Sequence, residues 1–133
     1  MDIVTLYVAT VAIFLVLDII ALNTVVAPTF RRVLGDMMLD TPRLWAAAVF
    51  YLFLVFGLLV LVTLPAYRDG DTFRALWQSA LVGAIAYGSY EATNYSTLRA
   101  WSLRLVVLDW GWGTVLTAIS GWGGVMVTRA IFG

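Results

Sequence analysis

Four long apolar stretches, separated by short polar segments, run along the 133-residue chain. Each holds about 20 or more mainly apolar residues, the length that an α-helix needs to cross the hydrocarbon of a bilayer. Connections this short make consecutive spans antiparallel. The pattern therefore predicts an all-α integral membrane protein, a single transmembrane domain over residues 1–133 with four antiparallel helices at about residues 3–26, 44–64, 73–95 and 103–132.

A short amphipathic helix is predicted after the first span, at about residues 29–39. Pro28 is expected to end the first span, because proline lacks an N–H group and its ring clashes inside a helix. Beyond it, apolar residues recur at helical spacing while charged residues occupy the other side. This stripe is typical of a helix lying in the membrane interface, with an ordinary loop as the alternative. Its apolar members are Phe30, Val33, Leu34, Met37 and Met38.

Three further boundaries are predicted from capping and turn residues. Thr41 and Pro42 look like an N-cap followed by proline at the first helical position, which would open the second span. Pro65 is expected to end that span. Asp71 or Thr72 is expected to cap the third helix.

Composition supports a membrane protein and excludes several kinds of site. Hydrophobic residues make up 62% of the chain, and the mean hydropathy is +0.94. The net charge is zero, which gives no electrostatic case for nucleic-acid binding. The chain has no Cys and no His, which removes disulfides, thiolate nucleophiles and ordinary haem, copper or zinc sites. We therefore predict no cofactor and no metal.

Three acidic residues, Asp18, Glu91 and Asp109, fall inside the predicted spans. An ionisable side chain at the centre of a membrane helix costs roughly 2.5–3.5 kcal/mol on insertion scales, so each one is by default a candidate functional residue. At about 1.5 Å per residue, the three lie roughly 12, 6 and 9 Å from the helix ends nearest to them. Those ends are on one side of the membrane if the chain crosses four times. The acids can therefore converge within one leaflet.

Polar and aromatic residues surround the acids in the sequence. Tyr87, Glu91 and Asn94 share one helix face, and Arg99 and Arg104 could reach back from the third loop. The small residues Gly113, Thr117 and Gly121 recur after Asp109, while Ala80, Ala84 and Gly88 give the third helix a similar face; both suit close helix contact. The predicted pocket comprises Asp18, Asn23, Tyr87, Glu91, Asn94, Arg99, Arg104, Asp109, Trp110 and Trp112.

Packing is the alternative explanation for each of these residues. Intramembrane polar groups can simply hydrogen-bond a neighbouring helix, and the acids could form a structural salt-bridge cluster with Arg99 or Arg104. Trp110 and Trp112 can serve as packing or interface anchors. Tyr51 is assigned to the apolar core.

The stretch from Ala86 to Asn94, followed by Trp101 and by Asp109 to Thr114, resembles a bacterial family of small predicted membrane proteins of unknown function. Leu17-Asp18 and Phe50-Tyr51 are similar to other landmarks of that family, and the likeness spans nearly the whole chain. The family tends to have Trp in place of Ala21 and Asp in place of Glu91. The resemblance implies a four-helix protein of the bacterial inner membrane and no particular activity.

The leading functional hypothesis is a small polytopic membrane protein whose carboxylate pocket binds or moves a small solute, a proton or a lipid headgroup. The alternatives are an accessory subunit of a larger membrane complex and a membrane-embedded lipid-modifying enzyme; without His, Cys or a metal motif, an enzyme is the less favoured. Membrane lipid is the expected partner, with a homodimer or a larger complex possible. Five of the eight Arg residues lie in the first and third loops or beside them, which favours both termini outside the cytoplasm.

Overall fold

The computed structural model describes residues 1–133 and is helical almost throughout, with no strand. Its four continuous helices are α1 (Asp2–Met37), α2 (Leu44–Asp69), α3 (Thr72–Thr97) and α4 (Leu103–Phe132). By length and composition, α1, α2 and α4 are able to cross a membrane. Helix α3 has 26 residues but carries more polar side chains. The chain is therefore an all-α membrane protein, and a fourth crossing by α3 stays a prediction.

Helices α3 and α4 form the most extensive contact in the fold, and small residues bring their backbones together. A Cβ added at Gly83 would lie 2.6 Å from the Cβ of Thr117, and one added at Gly113 would overlap the Tyr87 ring. Ser79 meets Gly121 and Tyr87 meets Gly113. Later residues of α3 therefore contact earlier residues of α4, so the two helices are antiparallel. The small residues Gly113, Thr117 and Gly121, predicted to suit close helix contact, are thus at the interface. On α3, however, Ser79 and Gly83 line the interface, and the predicted Ala80 and Ala84 are only half-buried.

Helix α1 packs against the other side of α4, where Thr10 meets Gly124 and Ile13 meets Gly123. Helix α2 completes the bundle mainly from Leu54 onwards, where it buries Leu54, Val55, Leu58, Leu59 and Val62. Its first half is largely exposed on the outside of the bundle. The apolar core therefore lies along α4, which is in contact with every other helix.

Neither Pro28 nor Pro65 ends its helix, and both of those boundary predictions were wrong. Instead, each proline follows a five-residue π-helical segment, Leu22–Val26 in α1 and Leu59–Thr63 in α2, and α-helix resumes around it. A proline inside an α-helix removes one hydrogen bond and clashes with the carbonyl group four residues earlier. The wider π-helical turn accommodates that mismatch.

The amphipathic segment after Pro28 is helical, over Ala27–Leu34, but it continues α1 without a break. Gly35, with φ at 54°, ends its α-helical part. Helix α2 begins at Leu44 with no side-chain cap, so Thr41 and Pro42 do not open it as expected. Asp71 does cap α3, because its carboxylate accepts a hydrogen bond of 2.9 Å from the Arg74 backbone N–H.

The end of α1 and the α3–α4 connection meet at one end of the bundle. Phe30, Val33 and Leu34 pack against a buried group formed by Trp101, Leu105 and Val106. We call this the Trp101 end. The opposite end carries an ion pair of 2.8 Å between Arg74 and Asp69.

Candidate functional site

The three intramembrane acids are all buried, each on a different helix. Asp18 of α1 is 4% exposed, Glu91 of α3 is fully buried, and Asp109 of α4 is 9% exposed. Each lies on the helix face that is turned into the bundle, because Asp18 follows Thr10 and Phe14 at helical spacing and Asp109 precedes Gly113. None of the three side chains points into lipid.

Two indole groups hold two of these acids. The Trp101 Nε1–H donates a hydrogen bond of 2.8 Å to Oε1 of Glu91. The Trp112 Nε1–H donates one of 3.2 Å to Oδ1 of Asp18. The partners of both carboxyl groups are thus neutral N–H donors.

Glu91 and Asp109 lie side by side across the α3–α4 interface. The hydroxyl of Tyr51, from α2, lies beside the Asp18 carboxyl group, and the ring of Tyr87 is packed close to both Asp18 and Asp109. All four helices therefore contribute to one cluster of ionisable side chains. We call it the acid cluster: Asp18, Tyr51, Tyr87, Glu91 and Asp109.

Three oxygen atoms of the acid cluster are buried without a hydrogen-bond partner. They are Oδ2 of Asp18, Oε2 of Glu91 and the hydroxyl oxygen of Tyr87. A buried polar atom without a hydrogen-bond partner costs about 1–3 kcal/mol. Native structures therefore usually provide a partner, from the protein or from ordered water. The fixed N–H and O–H groups of the chain do not satisfy these three atoms.

The predicted ion pairs with Arg99 and Arg104 do not form. Both arginines are exposed, and the structure's ion pairs are those of Arg74 with Asp69 and of the N-terminal amine with Asp2. Arg99 lies in the turn after α3. Arg104 is one position from the inward face of α4 that carries Leu105 and Asp109, so its side chain points outwards. The acid cluster therefore has no cationic side chain as a partner.

The other predicted site residues fall into two groups. Tyr87 and Trp112 belong to the acid cluster or contact it. Asn23 is exposed within the π-helical turn of α1, and Asn94 is half-buried near Tyr90. Trp110 is 41% exposed and packs on Gly88, which fits an anchor better than a site residue.

Two members of the site were not among the predicted site residues. In the sequence, Trp101 stands out only through the family resemblance, although its position ten residues after Glu91, across a short turn, allows it to fold back. Tyr51 was assigned to the apolar core, because nothing in the sequence of α2 indicates which of its aromatic residues faces the acids.

The groove that adjoins the acid cluster at Leu17 and Trp112 is apolar. It is an open groove of about 310 Å³ between α1 and α4, lined almost entirely by apolar side chains, among them Leu17, Ile20, Leu108 and Trp112. The acidic side chains do not come together in a group of three that could hold a metal ion. The site is closed in this conformation.

A family model described as "Predicted membrane protein (DUF2177)" matches residues 3–126. No curated protein and no solved structure matches the chain.

Proposed function

The chain belongs to the family Predicted membrane protein (DUF2177), and we propose that its acid cluster takes up and releases protons within the membrane. The observation that carries this proposal is the contact between Glu91 and Asp109, buried side by side without a cationic partner. The family description gives no activity, so the argument rests on the chemistry of the cluster.

The first step concerns charge. Two carboxylates in contact repel each other, and burial in a low-dielectric interior strengthens that repulsion. An arginine would relieve it, but Arg99 and Arg104 are at the surface. A proton shared between the two acids relieves it equally well, as in the carboxyl pairs of aspartic proteases.

The second step concerns hydrogen bonds. An ionised carboxylate only accepts hydrogen bonds, whereas a protonated carboxyl group also donates one. A proton on Asp109 would supply a donor to the unpartnered Oε2 of Glu91, and a proton on Oε2 would make that oxygen a donor to Asp109. The same change would both remove the repulsion and satisfy that oxygen.

The third step compares a proton with larger ligands. Solute or lipid-headgroup binding would require the closed bundle to open, because the groove between α1 and α4 is apolar and contains no acid. A proton needs no cavity, only groups that both donate and accept. Tyr51 and Tyr87 are such groups, and both lie near Asp18 and Asp109.

The test is proton movement in liposomes that contain the purified protein and a pH-sensitive dye. After an external pH step, the internal pH should change faster than in protein-free liposomes. Glu91→Gln and Asp109→Asn keep the size of each side chain but remove the exchangeable charge, and each should abolish the increase. Asp36→Asn is the matched control, because Asp36 is exposed at the Trp101 end, outside the cluster.

Infrared spectroscopy provides a second measurement that needs no flux. The parent protein should show a protonated-carboxyl band that is absent from Glu91→Gln or from Asp109→Asn. Parent liposomes that behave like protein-free ones, together with no such band at any pH, would refute the proposal and leave a packing role for the acids.

We also propose that the protein is embedded in the bacterial cytoplasmic membrane with the Trp101 end towards the cytoplasm. Arg31, Arg32, Arg99 and Arg104 are all exposed at or near that end. Basic residues are retained on the cytoplasmic side of membrane helices. This orientation puts both termini on the other side.

A further inference from the structure

Trp101 covers Glu91 at the end of the bundle. It lies in the connection between α3 and α4, is 9% exposed, and donates its indole N–H to Glu91 over 2.8 Å. Its ring makes edge-to-face contacts with Phe30 and Tyr90, with ring centroids 5.7 and 5.8 Å away. The indole therefore has a fixed orientation against Glu91, whereas Leu98 and Arg99 of the same connection are exposed.

The chemistry of the indole decides what this cover can do. An indole Nε1–H donates a hydrogen bond and cannot accept one. A chain of hydrogen bonds passes protons along only through groups that do both, such as hydroxyls, carboxyls and water. A proton cannot reach Glu91 through Trp101 while the indole occupies Oε1.

We propose that Trp101 is a positioning residue that closes the Glu91–Asp109 pair to proton exchange and to water from the Trp101 end. This inference rests on the proposed function of the acid cluster. When the α3–α4 connection moves outwards, water takes the place of the indole at Oε1, and the pair becomes open to that aqueous side. With the indole in place, exchange proceeds only from the inner side of the cluster, where Tyr87 and Tyr51 lie.

Carboxyl modification by a water-soluble carbodiimide and a small amine, followed by peptide mass spectrometry, measures how exposed each acid is to water. Trp101→Phe keeps an aromatic ring between Phe30 and Tyr90 but removes the N–H group. We expect Glu91 to be modified about tenfold faster in this variant, the factor that corresponds to ~1.4 kcal/mol for one lost hydrogen bond. Asp18, which is held by Trp112, should be modified at the parent rate.

Trp110→Phe is the matched control. Trp110 also packs against α3, at Gly88, but makes no indole hydrogen bond to an acid, so its replacement should leave the modification of Glu91 unchanged. A structural role alone would lower the melting temperature and speed modification of Asp18 and Glu91 alike. If Trp101→Phe unfolds in this way, Phe30→Leu decides the matter, because it loosens the aromatic contact while leaving the indole N–H in place. Phe30→Leu should then raise modification of Glu91 alone.

Parent-like modification of Glu91 in a folded Trp101→Phe protein would overturn the inference, as would equal acceleration at Asp18 and Glu91 in folded Phe30→Leu. Neither result depends on proton flux. Failure of the proposed function would instead appear as parent liposomes without proton movement, whatever the modification rates are.

Discussion

The rings of Phe30 and Trp101 meet edge to face, with centroids 5.7 Å apart. Phe30 belongs to the amphipathic end of α1, and Trp101 to the connection between α3 and α4. Their contact fixes both segments at the same end of the bundle. It also places Glu91 beneath that end, since Trp101 donates to its carboxyl group.

This arrangement predicts the topology. In the naturally Cys-free chain, single cysteines at Asp36 and Leu98 should react with an impermeant thiol reagent from the same side of the membrane, and a cysteine at Arg68 from the other. All three positions are exposed, so burial does not limit the reaction. Labelling of the Asp36 and Leu98 positions from opposite sides would contradict the fold and, with it, the convergence of the acids.

Replacement of Asp18 by Asn separates charge from packing. The Asn side-chain oxygen can still accept the Trp112 N–H, and its amide can donate to the Tyr51 hydroxyl. We expect the free energy of unfolding of the variant in detergent to lie within about 1 kcal/mol of that of the parent. In liposomes the variant should move protons more slowly. Asp2→Asn, at the opposite end of the bundle, is the control. Parent-like proton movement would remove Asp18 from the proposed function.

Neutralising the exposed arginines tests the missing ion pairs. Arg99→Gln and Arg104→Gln should each change the free energy of unfolding by no more than about 0.5 kcal/mol, as surface substitutions usually do. A buried carboxylate that lost an arginine partner would instead cost about 3–5 kcal/mol. Thermal melting at equal detergent concentration distinguishes the two. A loss in the larger range would show that an arginine does reach the acids in solution.

The close approach of α3 and α4 depends on Gly113. A Cβ there would overlap the Tyr87 ring, so Gly113→Ala should destabilise the bundle by about 1–3 kcal/mol, as overpacked cores do. Gly111→Ala, two positions away on the same helix, is the control because a Cβ at Gly111 meets no neighbouring atom. Equal melting temperatures for the two variants would show that α3 and α4 do not approach closely at Gly113.

The sequence by itself determined the class of the protein and the positions of its helices. Long apolar runs have few ways to satisfy their backbone polar groups in a bilayer other than as helices, so their approximate extents are local properties. The depth of Glu91 and Asp109 also follows from helical rise alone, whereas that of Asp18 does not, because α1 continues past Pro28 to Met37. The effect of the prolines did not follow, because a helix held by neighbouring helices can absorb Pro28 and Pro65 in a wider turn.

Only the tertiary structure decided which side chains meet. Helical periodicity indicates that Asp109 and Gly113 share a face, yet it does not say which face of α2 turns inwards, and so Tyr51 could not be recognised as a neighbour of Asp18. The sequence also does not say which residue partners Glu91, because Arg99 and Trp101 are both close to it along the chain. The turn after α3 directs the indole inwards and leaves the arginine in the exposed turn, where its charge stays hydrated at far lower cost than inside the bundle.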